Sequence, residues 1–264
     1  MKSLAAFPAV QRRAVRCVLT DIDDTLTTDG RLTASAYLAM ERLSRAGIPV
    51  IPVTGRPAGW CDMVARQWPV AAVVGENGAF FFRHDEANRQ FVRRFWVEAE
   101  RRRADQDRLW TIARTILAEV PGSGIASDQQ YRAADIAIDW CEDVAPLGDA
   151  AVRRIVAIAT AAGATARVSS IHVNIWFGDF SKLAMSRRCI AEVLGLDIDA
   201  EPDRFVFVGD SPNDQTMFAH FPNAVGVANV LHFRDQLTQP PAYVAPSRGG
   251  DGFAEVADAL LTAR

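Results

Sequence analysis

The chain of 264 residues has four cysteines, Cys17, Cys61, Cys141 and Cys189, none in a CxxC pair. Such isolation excludes a zinc site or a disulfide framework. Reduced, mostly buried thiols in a cytosol are expected instead. Histidine is scarce, and His84, His220 and His232 lack metal-ligand spacing. There is no basic excess: 29 Lys and Arg stand against 32 Asp and Glu, a net charge of −3. Nucleic acid is therefore not an expected partner. The run Arg101-Arg102-Arg103 sits among acids and reads as a solvated helix face. No apolar run approaches the roughly 20 residues of a membrane helix. Met1 to Val15 lacks the apolar core of a signal peptide, so a cytoplasmic protein with no membrane partner is expected. Internal repeats and low-complexity tracts are missing too. What is present is ordinary for a globular protein: 49% hydrophobic and 23% charged residues. The length allows one large domain or two smaller ones.

The most informative stretch is Val18-Leu19-Thr20-Asp21-Ile22-Asp23-Asp24-Thr25-Leu26-Thr27. A short apolar run, a buried-strand pattern, ends in three aspartates within four residues. In an open α/β sheet, ligands bind beyond the carboxyl ends of strands. Asp21 and Asp23 share one side if the pleat continues. Like charges that close need a cation, a proton or a lysine. A hard ion such as Mg²⁺ suits two carboxylates, waters and a phosphate. The plainer alternative is a helix N-cap with solvated acids at a turn.

The same rhythm recurs. A helix is predicted from Thr33, as N-cap, to Ala46, then a strand Ile48 to Val53 ending in Thr54-Gly55-Arg56-Pro57. Pro57 opens a helix to about Gln67. A third strand, Val70 to Val74, ends in Gly75-Glu76-Asn77-Gly78. This alternation predicts a parallel sheet with right-handed crossovers. The pattern then changes. Ala79 to Arg83 and Gln90 to Phe95 predict a hairpin. Glu98 to Glu119 and Gly148 to Ala162 predict helices. Asp135 to Trp140, Ala164 to Val168 and Ile171 to Phe177 predict strands, the first half-buried. From Ser181 the first rhythm returns: a helix to Leu194 with Lys182 near its start, a strand Phe205 to Val208, and Gly209-Asp210-Ser211-Pro212-Asn213-Asp214. A helix from Pro212 through Phe218, short strands at Asn223 to Val227 and Tyr243-Val244, and a closing helix Gly252 to Leu261 complete the chain. The fold class expected is α/β: a Rossmann-like core over 1–95 and 179–264 with an inserted α+β unit at 96–178.

In order, the strand-end loops and one helix start carry Asp21-x-Asp23-x-Thr25, Thr54-Gly55-Arg56, Lys182, and Gly209-Asp210-x-x-Asn213-Asp214. Any one of these is weak, but all four at sensible spacing are specific. The set closely resembles the haloacid dehalogenase superfamily of phosphohydrolases. The inserted block resembles that superfamily's type IIB cap, and Asn77-Gly78-Ala79 matches a habit of that subclass. The resemblance covers nearly the whole chain. It implies a Mg²⁺-dependent phosphatase acting on a small phosphorylated metabolite of the sugar-phosphate kind. It implies Asp21 as nucleophile and Asp23 as general acid and base. Thr54, Gly55, Arg56, Asn77, Lys182 and Asn213 would meet phosphate or substrate. Mg²⁺ would lie on Asp21, Asp210 and the Asp23 carbonyl, with Asp214 behind them. The residue after Asp23 is often glycine in this superfamily; here it is Asp24, whose side chain is expected to face away from phosphate.

Two rival functions share the motifs. One is a sugar phosphomutase, and the other a non-catalytic phosphosugar-binding regulator. His172 and Asn174, two apart on one strand, are the candidates for cap specificity; polar positions on a half-exposed strand are the plain alternative. Trp60, Trp110, Trp140 and Trp176 are expected in packing. For Arg56, contact with substrate or the cap and an ordinary salt bridge are both open.

Overall fold

The computed structural model describes residues 1–169 and 171–264. Its central sheet is parallel throughout and has six strands. The order is Lys2–Ser3, Tyr243–Val244, Val225–Gly226, Phe205–Gly209, Cys17–Thr20, Val50–Pro52. Alternate side chains explain why its middle strands are buried on both faces. Val18, Val50, Val206 and Val208 meet Met40 and Leu43 of the Ala34–Arg45 helix and Phe253, Val256 and Leu260 of the Gly249–Leu261 helix. Leu19, Ile51, Phe205 and Phe207 meet Met185, Cys189 and Ile190 of the Lys182–Leu194 helix on the other face.

Thr33 caps its helix as the sequence predicts, and Ser181 caps another. Thr33 Oγ1 accepts the Ala36 N–H at 3.2 Å, and Ser181 Oγ accepts that of Ala184 at 3.1 Å.

The third strand of the row differs from expectation. Val73–Gly75 touches the parallel sheet through a single bridge, Val53 to Val74, and otherwise pairs antiparallel with Phe80–Asp85, which pairs with Gln90–Phe95. The strand is three residues long and ends at once in the turn that opens the hairpin. Pro212–Asp214 is a 3₁₀ turn, and the α-helix after it is Gln215–His220. The closing helix starts earlier than predicted, at Gly249. The Ala9–Ala14 helix and the Ala228–Gln236 3₁₀ segment were not anticipated.

The middle block is a four-stranded antiparallel sheet in the order Thr165–Val168, His172–Trp176, Ile136–Asp139, Gly124–Ile125. Ile136, Ile138, Val173 and Ile175 pack on Leu109, Ile112, Ile116 and Ile155 of helices Ala99–Glu119 and Asp149–Ala161. The opposite face, carrying Ala137, Asp139, His172, Asn174 and Trp176, looks toward the parallel sheet. It is covered rather than half-exposed: all four residues of Ile136–Asp139 are buried. Trp176 stacks on Phe180 at 5.4 Å and packs with Cys61, Val64 and Phe80. No described helix is long and apolar enough to cross a membrane.

Tryptophan was less uniform than expected. Trp176 is buried, but Trp110 is exposed, because it faces away from the cap sheet. Trp60 is exposed and carries the Arg56 guanidinium 4.4 Å above its ring. Trp140 follows its strand and lines a cavity. Arg102 departs from the solvated face expected of its run, lying 3.6 Å over the Phe95 ring.

Candidate active site

Three neighbouring strands end level. Thr20 is in register with both Val208 and Pro52. Asp21 and Asp23, Thr54, and Asp210 therefore emerge side by side, and the cavity above Asp21, Asp23 and Asp210 has a volume of about 760 Å³. Its far wall belongs to the middle block: Trp140, Glu142, His172 and Asn174.

Lys182 is brought to this floor by the first turn of its helix. A cation at a helix N-terminus opposes the helix dipole, so it needs local compensation. Nζ has it, at 2.7 Å from Asp21 Oδ1 and 2.9 Å from Asp214 Oδ1. Gly78 makes room: its φ is +107°, and a Cβ there would collide with the Ser181 carbonyl just before Lys182. Gly209 does the same for Asp214, whose carboxylate lies where a Cβ would project. Asp214 Oδ2 accepts the Asp210 N–H at 3.2 Å. Asp214 is thus a fully buried brace between Lys182 and Asp210.

Carboxylate oxygens of Asp21, Asp210 and Asp214 all lie within 4.8 Å of one another. Burial, opposed by Lys182 and aided by Asp214 and Asp23, pushes the Asp21 carboxyl up to about 7. Burial with Asp214 and Asp21 pushes Asp210 up to about 9. One lysine against three buried acids leaves an excess of negative charge, and a divalent cation between Asp21 and Asp210 fits it. The Asp23 side chain is outside that cluster, consistent with a contribution from its backbone carbonyl alone. Thr25 Oγ1 donates to Asp210 Oδ1 at 3.3 Å.

Thr54 is fully buried behind the cavity wall rather than on it. Its Oγ1 accepts the Arg56 N–H at 3.0 Å. Its neighbours Gly55 and Arg56 line the wall, as do Asn77 and Asn213. Asn77 Nδ2 is a buried donor without a partner, next to Gly55. Arg56 grips both oxygens of Asp23 at 2.8–3.1 Å in a salt bridge. It also lies 3.9 Å from Asp128 and from Glu142 of the cap.

Asp24 has φ +55°, a left-handed backbone that glycine adopts freely and aspartate tolerates. Its N–H donates to Thr27 Oγ1 at 3.0 Å, which anchors the turn. Asp24 lies on the cavity wall, where that turn holds it. Burial, then Asp23 and Asp29, raises its carboxyl.

Sequence reasoning passed over Glu76. It is fully buried at φ +42°, and its carboxylate accepts four backbone N–H groups. One is from Ala58; three are from Ala133, Ala134 and Asp135 of the cap, at 2.6–3.1 Å. Burial and Asp135 push it up to about 8, against the pull of Arg132. Arg132 makes a second tie, donating to the Gly55 carbonyl at 3.1 Å and to Asp135 at 3.0 Å. The only local sign of this clasp was an acid in a strand-end loop. Asn229, His232 and Phe233 of the 3₁₀ segment also line the cavity, with no motif to announce them.

His172 and Asn174 both reach the cavity, buried. Asn174 is committed, donating to Asp135 Oδ2 at 2.9 Å. His172 Nε2 lies 2.8 Å from Glu142 Oε2, with no aligned hydrogen bond. Burial, together with Arg132, lowers its pKa to about 4 and keeps the ring neutral. Among the described residues no histidine joins a metal cluster.

Residues 18–96 match the family model of haloacid dehalogenase-like hydrolases. No curated protein matches the chain. Among solved structures, a Thermoplasma acidophilum protein aligns over 94% of this chain and 98% of its own, with a TM-score of 0.72 at 16% identity. The sucrose-phosphatase of Synechocystis sp. PCC6803, solved with sucrose and phosphate, aligns over 94% and 98% with a TM-score of 0.64 at 16% identity. A structure described as a subclass IIB sugar phosphatase aligns over 92% and 98% with a TM-score of 0.64 at 13% identity. At such identities the likeness is one of fold, and it runs through core and cap alike. The family model covers the stretch bearing Asp21, Asp23, Thr54 and Asn77, and the shared fold extends over nearly the whole chain.

Proposed function

We propose that this chain is a Mg²⁺-dependent phosphatase that hydrolyses a sugar-phosphate-like monoester in the cytoplasm. A catalytic core, 1–95 and 179–264, carries the chemistry. A cap, 96–178, encloses the leaving group and excludes water. One observation carries the reading: Lys182 Nζ rests 2.7 Å from Asp21 beside Asp210, at the level ends of adjacent strands beneath an enclosed cavity. Binding alone requires no such quartet of Asp21, Asp23, Lys182 and Asp210.

In this reading Asp21 attacks phosphorus, forming an aspartyl phosphate and releasing the alcohol. Asp23 protonates the departing oxygen and then takes a proton from the water that hydrolyses the intermediate. Arg56 holds Asp23 in place. Lys182 offsets the charge gathered at Asp21. Asn77 Nδ2 and Asn213 on the wall offer contacts to the phosphoryl oxygens, and Thr54, behind the wall, fixes the backbone of Arg56. Mg²⁺, held by Asp21, Asp210 and the Asp23 carbonyl, would supply Lewis-acid stabilisation of the transferring group. Phosphoryl transfer needs placement and charge stabilisation above all, and this floor supplies both. The test is a screen of phosphate esters with Mg²⁺. Turnover with net phosphate release is expected; transfer of the phosphoryl group back to sugar, or binding without turnover, would refute it.

A further inference from the structure

We propose that the cap half of the cavity selects monoesters whose leaving group bears no second negative charge, and rejects bisphosphates and phospho-acids. The inference rests on the phosphatase reading and names the substrate class of that same site.

The charge inventory is one-sided. The described lining has six carboxylates, of Asp21, Asp23, Asp24, Glu142, Asp149 and Asp210, against two guanidiniums, of Arg56 and Arg132. Both guanidiniums are spoken for. Arg132 is 1% exposed, held by Asp128 at 3.0 Å, Asp135 at 3.0 Å and the Gly55 carbonyl at 3.1 Å. Arg56 is held by both oxygens of Asp23, with Asp128 and Glu142 behind it. Lys182 is committed to Asp21 and Asp214 on the floor. The remaining basic side chain on the lining besides His172 is the exposed His232, across the cavity from the cap. A phosphoryl group is met on the floor by Lys182 and the metal. A second anion on the leaving group would rise toward Glu142 and Asp149 and find no unpaired cation. Building repulsion against the wrong ligand is an effective means of specificity.

The cap offers hydrogen bonding instead. His172 is 3% exposed, and its Nε2 has no aligned partner. Trp140 Nε1 is likewise buried without a partner, and both residues line the cavity. Buried polar nitrogens left unpaired are costly, and a hydroxyl of the ligand would satisfy each. With Glu142 and Asp149 as acceptors, the roof suits a polyol or an amine-bearing polyol. It also disfavours the bisphosphate that a phosphomutase must retain.

Matched esters test the idea. Glucose 6-phosphate and glucosamine 6-phosphate are compared with 6-phosphogluconate, and glycerol 3-phosphate with 3-phosphoglycerate. p-Nitrophenyl phosphate gauges the core. The acid of each set should have a kcat/KM at least tenfold lower than its neutral or amine counterpart. Glu142→Gln and Asp149→Asn should each narrow that gap severalfold. Equal or better use of the acids, or a gap untouched by both variants, overturns the proposal. Should p-nitrophenyl phosphate not be turned over, the phosphatase reading falls by itself. Calorimetric Kd values for the same esters with Mg²⁺ then decide the charge preference, and equal values for acid and neutral members would sink it.

Discussion

On the floor of the cavity, Asp21 and Asp210 each sit one residue beyond the end of a parallel strand, with Thr54 buried just behind. On its roof, Glu142, His172 and Asn174 come from an antiparallel sheet and the loop beside it. Both surfaces are acidic, yet they neutralise charge differently. The floor gathers Asp21, Asp210 and Asp214 around one lysine and so retains a demand for a cation. The roof spends Arg132 on Asp128 and Asp135, and feeds backbone N–H groups of 133–135 to Glu76. A surplus of charge that a metal completes is chemistry; a surplus locked by arginine and backbone is a joint.

The same contrast explains what was legible beforehand. Strand, loop and acid are contiguous on the floor, so Asp21, Asp23, Thr54 and Asp210 could be picked from local pattern. Lys182, near a helix start, was picked from its place in the ordered set of motifs and the family resemblance that set carries. Glu76 and Arg132 escaped notice because their partners are some 58 and 77 residues away, and no periodicity encodes that distance. Trp140 packs against the Leu109 and Ile138 cluster, as expected, but also lines the cavity, which was not anticipated. The alternation Ile136, Ile138, Trp140 continues on paper, but the strand stops at Asp139. Asp139 accepts the N–H groups of Cys141, Glu142 and Asp143, which turns the chain into the cavity loop.

The largest effect should come from the floor. Asp21→Asn removes the attacking charge and should lower kcat by orders of magnitude on the best substrate. The fold should persist, since Lys182 keeps Asp214; circular dichroism and Tm check that. A variant keeping a tenth of wild-type kcat would rule out the aspartyl phosphate.

Metal removal is next. EDTA should abolish activity and Mg²⁺ restore it, with little rescue by Ca²⁺, whose looser coordination spoils in-line placement. Stability should follow the same ion. Asp21 and Asp210 have folded pKa values raised above those of the unfolded chain, so the metal-free native state holds protons that the unfolded chain releases near 4. Metal-free stability should therefore fall as pH rises from about 4 toward 9. Mg²⁺ favours the ionised carboxylates and should flatten that slope. A metal-free Tm that climbs from pH 6 to 9 would contradict the excess of charge.

The joint is weaker in consequence but separable. In Glu76→Gln, one carboxylate oxygen becomes an amide donor facing backbone donors. Leaving buried N–H groups unpaired costs about 1–3 kcal/mol. The expected signature is a lower Tm with faster hydrogen exchange at 133–135, and only a modest change in turnover of p-nitrophenyl phosphate. Unchanged exchange there would show that Arg132 alone holds the cap.

The smallest effect separates two roof residues that look alike in sequence. His172 and Asn174 share a strand face and reach one cavity, but only Asn174 makes an aligned side-chain hydrogen bond, while His172 Nε2 merely lies close to Glu142. His172→Ala should remove a hydrogen bond to a substrate hydroxyl. The loss should be about tenfold in kcat/KM on a sugar phosphate, near 1.4 kcal/mol, with far less change on p-nitrophenyl phosphate. Asn174→Ala strips a donor from the buried Asp135, whose carboxylate also anchors Arg132. Its losses should therefore fall on both substrates and appear in Tm, as for a positioning residue. If His172→Ala impairs both esters equally, His172 belongs to the joint. If Asn174→Ala impairs only the sugar ester, Asn174 reads substrate despite its bond to Asp135.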